Sequence, residues 1–178
     1  MTVNTSWQFD FRQEIMRIHN LLGTNSEYVQ IKQELGSMIF SLLDILEAER
    51  GLWPLCLCHN DINRDNFLMD SAGKCDLIDW EYAGLNDKAY DIAKLVLKSE
   101  AHGENARRII SRYYGRECTV QEERHILACG AVEDYYWLIW AVYLEQNGRN
   151  LRESMNIWHN HAANYGRYAI KLYAGGEA

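Results

Sequence analysis

The chain has 178 residues, one proline, 48% hydrophobic residues and 24% charged residues. That length supports one packed core, and that balance excludes a disordered chain. With 18 Lys and Arg against 25 Asp and Glu the net charge is −7, which argues against a protein that grips nucleic acid through its phosphates.

Apolar residues recur at helical spacing from Phe9 to Leu22, stopping near Gly23, and again on a broad stripe from Ser26 to Arg50. The pattern then shortens. Leu55-Cys56-Leu57-Cys58 is a strand-length apolar run, and a polar stretch follows from His59 to Asp65. Phe67-Leu68-Met69 and Cys75-Asp76-Leu77-Ile78 flank the turn-rich Asp70–Lys74, which predicts a small hairpin. A loop from Asp79 to Asp87 leads into a helix over Lys88–Lys98. Further helices are predicted over Asn105–Tyr114, over Thr119–Gln146 with Gly130 as the place for a break, and over Arg149–Tyr173. Gly115 and Gly148 serve as terminators. The fold class is mainly α with one small β-hairpin element, as a single domain over 1–178.

No run of about 18 apolar residues could span a membrane. Met1 to Trp7 is polar and lacks the plan of a signal peptide. Five cysteines show no disulfide framework, and Cys56-Leu57-Cys58-His59 has no second ligand pair at zinc-site spacing. Alternation puts Cys56 and Cys58 on one face of a strand. The expectation is a cytoplasmic protein with buried free thiols.

The chemistry concentrates in two polar loops that follow short apolar strands. The first reads His59-Asn60-Asp61-Ile62-Asn63-Arg64-Asp65-Asn66, and the second Ile78-Asp79-Trp80-Glu81-Tyr82-Ala83-Gly84. Phosphoryl transfer needs a carboxylate to orient the attacking hydroxyl and oxygen ligands for magnesium on the phosphates. An H-x-D-x-x-x-x-N loop followed by an Asp after the next hairpin supplies both. Turn capping is the plainer reading of any one of these residues, but the hairpin-sized interval between Asn66 and Asp79 favours catalytic geometry.

With Tyr90-Asp91-Ile92-Ala93 added, these motifs resemble the choline/ethanolamine kinase family, the bacterial LicA-type choline kinases in particular. That group shares a protein-kinase-like superfamily with the aminoglycoside phosphotransferases. The resemblance is strong over 59–95. It implies that Asp61 is the catalytic base, that Asn66 and Asp79 bind Mg²⁺ with Glu81 assisting, and that ATP is the co-substrate. It gives His59 and Asp91 supporting roles: a brace for the loop, and a hydrogen bond to that loop or a helix cap. The catalytic loop is then 59–66, the metal loop 79–84 and the helical substrate-binding part 88–174.

A quaternary ammonium is held by aromatic faces and a carboxylate. Glu133, Trp137 and Trp140 fall at i, i+4 and i+7 of one helix and share a face, whereas Tyr135, Tyr136 and Tyr143 face elsewhere. An aromatic stripe at this spacing is usually core. The family resemblance tips Trp137 and Trp140 towards a substrate cage, with Tyr82 beside them. Trp158, His159 and His161 read as packing or surface residues.

Full-length kinases of this superfamily add an N-terminal lobe with a β-sheet, a phosphate-covering loop and a strand Lys. The residues before His59 read as helices without G-x-G-x-x-G or such a Lys. The expectation is a C-terminal lobe with the N-terminal β lobe absent, and with little or no activity alone. Exposed apolar surface near the first helix and the hairpin would favour self-association or a separate N-lobe partner. In the complete enzyme the acceptor would be choline or a related small cationic alcohol. A non-catalytic binding module, or a kinase for ethanolamine, thiamine or an aminoglycoside, stands as the alternative.

Overall fold

The computed structural model describes residues 9–176; the polar segment Met1 to Trp7 lies outside them. In chain order the elements are α1 (Phe11–Leu22), α2 (Ser26–Ala48), β1 (Cys56–Cys58), β2 (Phe67–Met69), β3 (Cys75–Leu77), β4 (Gly84–Asn86), α3 (Lys88–Lys98), α4 (Glu104–Tyr114), α5 (Val120–Gln146) and α6 (Arg152–Tyr173). Short 3-10 turns cover Arg50–Leu52, Arg64–Asn66 and Trp80–Tyr82. No described helix is long and apolar enough to cross a membrane.

The helices start where side chains satisfy their free N–H groups. Asp10, Asn25 and Asp87 each accept from a first-turn backbone N–H of α1, α2 and α3. Thr119 and Glu122 cap α5 reciprocally. The starts of α2 and α3 fall at Ser26 and Lys88 as expected, and the caps move those of α1 and α5 by two residues and one.

Helix α5 lies at the centre, packed against α1, α2, α3 and α6. An unbroken run from His125 to Tyr136 is buried, so this stretch has no solvent face. The break predicted near Gly130 is absent, and the glycine serves packing instead. A Cβ there would lie 2.9 Å from Leu97 Cδ1 and 3.0 Å from Ala93 Cβ, so it is the missing side chain that lets α3 approach. Gly130→Val is expected to cost about 1–3 kcal/mol by overpacking, read as a lower denaturant midpoint; an unchanged midpoint would show that α3 can withdraw freely.

The β part is larger than one hairpin. β2 and β3 form the predicted antiparallel pair, Leu68 opposite Asp76. The segment Asp79–Asp87, a loop by its sequence, contains β4, which pairs antiparallel with β1, Leu57 opposite Leu85. That pairing clamps the two polar loops side by side. Cys56 and Cys58 do share a face, their sulfurs 3.7 Å apart. All five cysteines are free, as expected, but Cys56 and Cys75 are exposed rather than buried. Leu57, Leu68, Met69, Ile78 and Trp80 are exposed on the β part, and Met16 and Leu21 on α1.

Candidate active site

Two backbone positions set the loops. Asn60 and Asp79 have φ of 63° and 65°, left-handed values that Asn and Asp tolerate better than bulky residues. Strain of this kind persists where surrounding contacts hold it. The hold on Asn60 comes mainly from Asp91, whose two carboxylate oxygens accept from consecutive backbone amides, His59 N–H (2.7 Å) and Asn60 N–H (2.9 Å). Burial pushes the Asp91 carboxyl above its usual value, and these two donors oppose the rise. The Asn60 side chain donates to Tyr82 O at 2.9 Å and accepts from Asn86 at 3.0 Å, joining the first loop to the second.

His59 is buried. Its Nε2 donates to Ile78 O at 2.8 Å, and its Nδ1 accepts from Asp61 N–H at 3.2 Å. Those bonds assign a neutral tautomer with the proton on Nε2. The ring spans both loops at a distance from solvent.

Asp61 accepts from the Asn63 side chain and from Asn66 Nδ2. Asn66 Nδ2 also donates to Asp61 O at 2.9 Å. With its nitrogen committed to Asp61, the Asn66 amide keeps its oxygen for another partner. Asp79 opens the Trp80–Tyr82 turn without capping it, and both it and Glu81 are exposed. Asn66 and Asp79 each offer a hard oxygen of the kind Mg²⁺ takes, and Ile78 N–H, one residue before Asp79, donates to Asn66 O at 2.9 Å.

Asn60, Asp61, Tyr82, Glu133, Tyr136 and Trp137 line one cavity of about 350 Å³, with Tyr90, Asp91 and Lys94. Trp140 is not among its walls. Its ring stacks on Tyr143 at 5.2 Å, and the Arg17 guanidinium sits 5.6 Å above it. A helix turns about 100° per residue, so Trp140 lies some 60° round from Trp137, far enough to meet α1 instead. Tyr136, expected to face elsewhere, takes a place in the wall.

Beneath the cavity, Lys94 Nζ lies 3.2 Å from Glu133 Oε1 and 2.9 Å from Asp134 Oδ1. His161 Nδ1 lies 2.7 Å from Asp134 Oδ2, so His161 is a half-buried partner of that carboxylate. Burial disfavours charge on Lys94, but the two carboxylates outweigh it and raise its pKa. Burial likewise opposes ionisation of Asp134, and Lys94 and His161 overcome it, so its pKa is lowered. Glu133 has the weaker share of the lysine. Burial pushes it up to about 7 against the pull of Lys94. The Trp137 indole approaches this carboxylate without closing a hydrogen bond to Oε2, which is buried and unpartnered. Lys94 was not singled out from sequence, although it sits on the apolar row Tyr90, Lys94, Leu97 of α3, which is the signal that finds it.

A helical lobe whose strand ends carry these loops is a phosphotransferase architecture. The chain belongs to the phosphotransferase enzyme family, whose model matches residues 4–128. Its relatives fall in the choline/ethanolamine kinase group of the protein-kinase-like superfamily. Protein LicA of Haemophilus influenzae is 26% identical over 151 residues, covering 80% of this chain and 55% of that protein. A choline/ethanolamine kinase family protein from Mesorhizobium loti superposes with a TM-score of 0.72 at 20% identity, over 93% of this chain and 59% of that one. Choline kinase LicA from Streptococcus pneumoniae gives 0.65 at 26% identity, over 96% and 57%, and a LicA structure in complex with AMP gives 0.63 at 26%, over 96% and 55%. The chain spans about half the length of the curated relatives it matches.

Proposed function

We propose that this chain supplies the acceptor-binding and metal-binding part of a kinase that transfers phosphate from ATP to the hydroxyl of a choline-like amino alcohol. The observation that carries the reading is the shared cavity, where a loop carboxylate, Asp61, and a buried carboxylate with a free oxygen, Glu133, line the same walls as Trp137 and Tyr136. The aromatic faces and Glu133 hold the cationic head. Asp61 orients the hydroxyl and accepts its proton. Asn66 and Asp79, with Glu81, hold Mg²⁺, which supplies charge neutralisation at the phosphates. The AMP-bound relative supports nucleotide use. A cavity of about 350 Å³ suits a small amino alcohol better than an aminoglycoside.

A second reading is a module that binds the acceptor without turning it over. Calorimetry separates the two: binding of choline and of ATP-Mg supports the kinase part, choline alone supports the module, and neither removes both.

The pH dependence has a definite sign. Glu133, held at about 7, is ionised above that pH and neutral below it. Acceptor affinity is therefore expected to rise several-fold as pH increases through about 7, and Glu133→Gln to flatten that rise. Equal pH profiles for variant and parent would remove Glu133 from the site.

A further inference from the structure

A second cavity, of about 90 Å³, shares Asn86 and Tyr90 with the first and is lined by Asp87, His125 and Cys129. None of these three lines the acceptor cavity. His125 and Cys129 are four apart on α5 and so share a face; both are buried. Asp87 caps α3 through Oδ1, which accepts from Ala89 N–H, and turns Oδ2 to His125 Nε2 at 2.6 Å. Cys129 Sγ lies 3.8 Å from the same nitrogen, and the three ligand atoms fall within 4.8 Å of one another. Ligands around a tetrahedral zinc ion stand about 3.3–3.8 Å apart, given bond lengths of about 2.0–2.3 Å, so a small opening of the Asp87–His125 contact would admit one.

The imidazole gives the independent sign. When Nε2–H donates to Asp87, Nδ1 is left as a bare lone pair. It is buried with no hydrogen-bond partner, and Glu49 Oε2 faces it at 3.8 Å. A lone pair opposed to a carboxylate is unfavourable. Glu49 is fixed by Arg124 at 3.0 Å and the Tyr173 hydroxyl at 3.2 Å, and Trp53 stacks on the ring at 4.1 Å, so neither group turns away easily. A cation on Nε2 reverses the tautomer. Nε2 then gives its lone pair to the metal and Nδ1–H points at Glu49, the carboxylate–histidine–metal arrangement of metal centres. A doubly protonated imidazolium would also satisfy both carboxylates, with Cys129 left to the Tyr90 hydroxyl; it predicts no sulfur-to-metal band in the titration below.

We propose that Asp87, His125 and Cys129 form a binding site for a zinc-like divalent cation, with the small cavity at its open position. Burial, with the Asp87 and Glu133 charges, keeps the Cys129 thiol protonated without metal; coordination removes that proton. The bound ion ties the start of α3 to α5. It does so next to Asn86, whose side chain donates to Asn60 in the first polar loop.

Cobalt titration of the chelator-stripped chain tests this. The expected result is a single equivalent bound, a sulfur-to-cobalt charge-transfer band and a higher Tm. Cys129→Ser should abolish the band. Asp87→Asn, which keeps a competent helix cap, should weaken binding at least tenfold, and Glu49→Gln by about 10–100-fold. A Cys56→Ser, Cys58→Ser, Cys75→Ser triple variant should keep the band. No band, a band that survives Cys129→Ser, or affinity unchanged in Asp87→Asn would overturn the proposal.

Discussion

Within the kinase proposed above, Asp61→Ala is expected to lower kcat by about 10²–10⁴-fold, the usual cost of removing a general base, with stability little changed. The loop does not depend on that carboxylate alone. Asn66 still donates to the Asp61 backbone oxygen, and Asp91 still holds the His59 and Asn60 amides. A steady-state assay with choline and ATP-Mg checks it beside a denaturant melt. Turnover above about a tenth of the parent would remove Asp61 as the base. A matching loss of stability would instead make it a structural residue.

Lys94→Met should be the most damaging single change to the fold, at about 3–5 kcal/mol near neutral pH, because removing one partner strands the other charges in the interior. Lys94 sits between Glu133 and Asp134, all three buried. Glu133 is already held at about 7 and rises further once the cation is gone. Asp134, lowered in the parent chiefly by Lys94, loses that support and keeps only His161. A carboxyl whose folded pKa lies above its unfolded one costs stability at high pH, and the cost disappears as pH falls towards the unfolded value. The defect should therefore shrink between about pH 8 and pH 5. An equal defect at both pH values would show that lost packing, rather than stranded charge, is responsible.

Much of this site was readable because its loops are contiguous in the chain. His59, Asp61 and Asn66 lie within eight residues, and a turn-rich hairpin carries the chain from Asn66 to Asp79. What escaped was nonlocal. β4 is three residues long with Leu85 as its single large apolar side chain, and its partner β1 lies far back in sequence. The Lys94–Asp134–His161 chain draws on three helices, so no spacing within one helix reveals it. Trp140 shows the reverse limit. Periodicity put it on one face with Trp137, but a wall of a cavity is narrower than a helix face, and Arg17 on α1 claimed its ring. Gly130 misled because glycine marks a break and a close approach equally well; only the neighbouring Leu97 and Ala93 tell them apart.

The continuity of α5 limits how the acceptor site can move. Glu133, Tyr136 and Trp137 stand on a rod gripped by four other helices, so that wall has almost no freedom to follow a ligand. The Tyr82 side chain, by contrast, is exposed on the short turn between β3 and β4. Any narrowing around a bound alcohol must come from the loop side, as a jaw closing on a fixed anvil. The site would then measure its ligand against a fixed wall, with the Tyr82 ring as the part free to close on it.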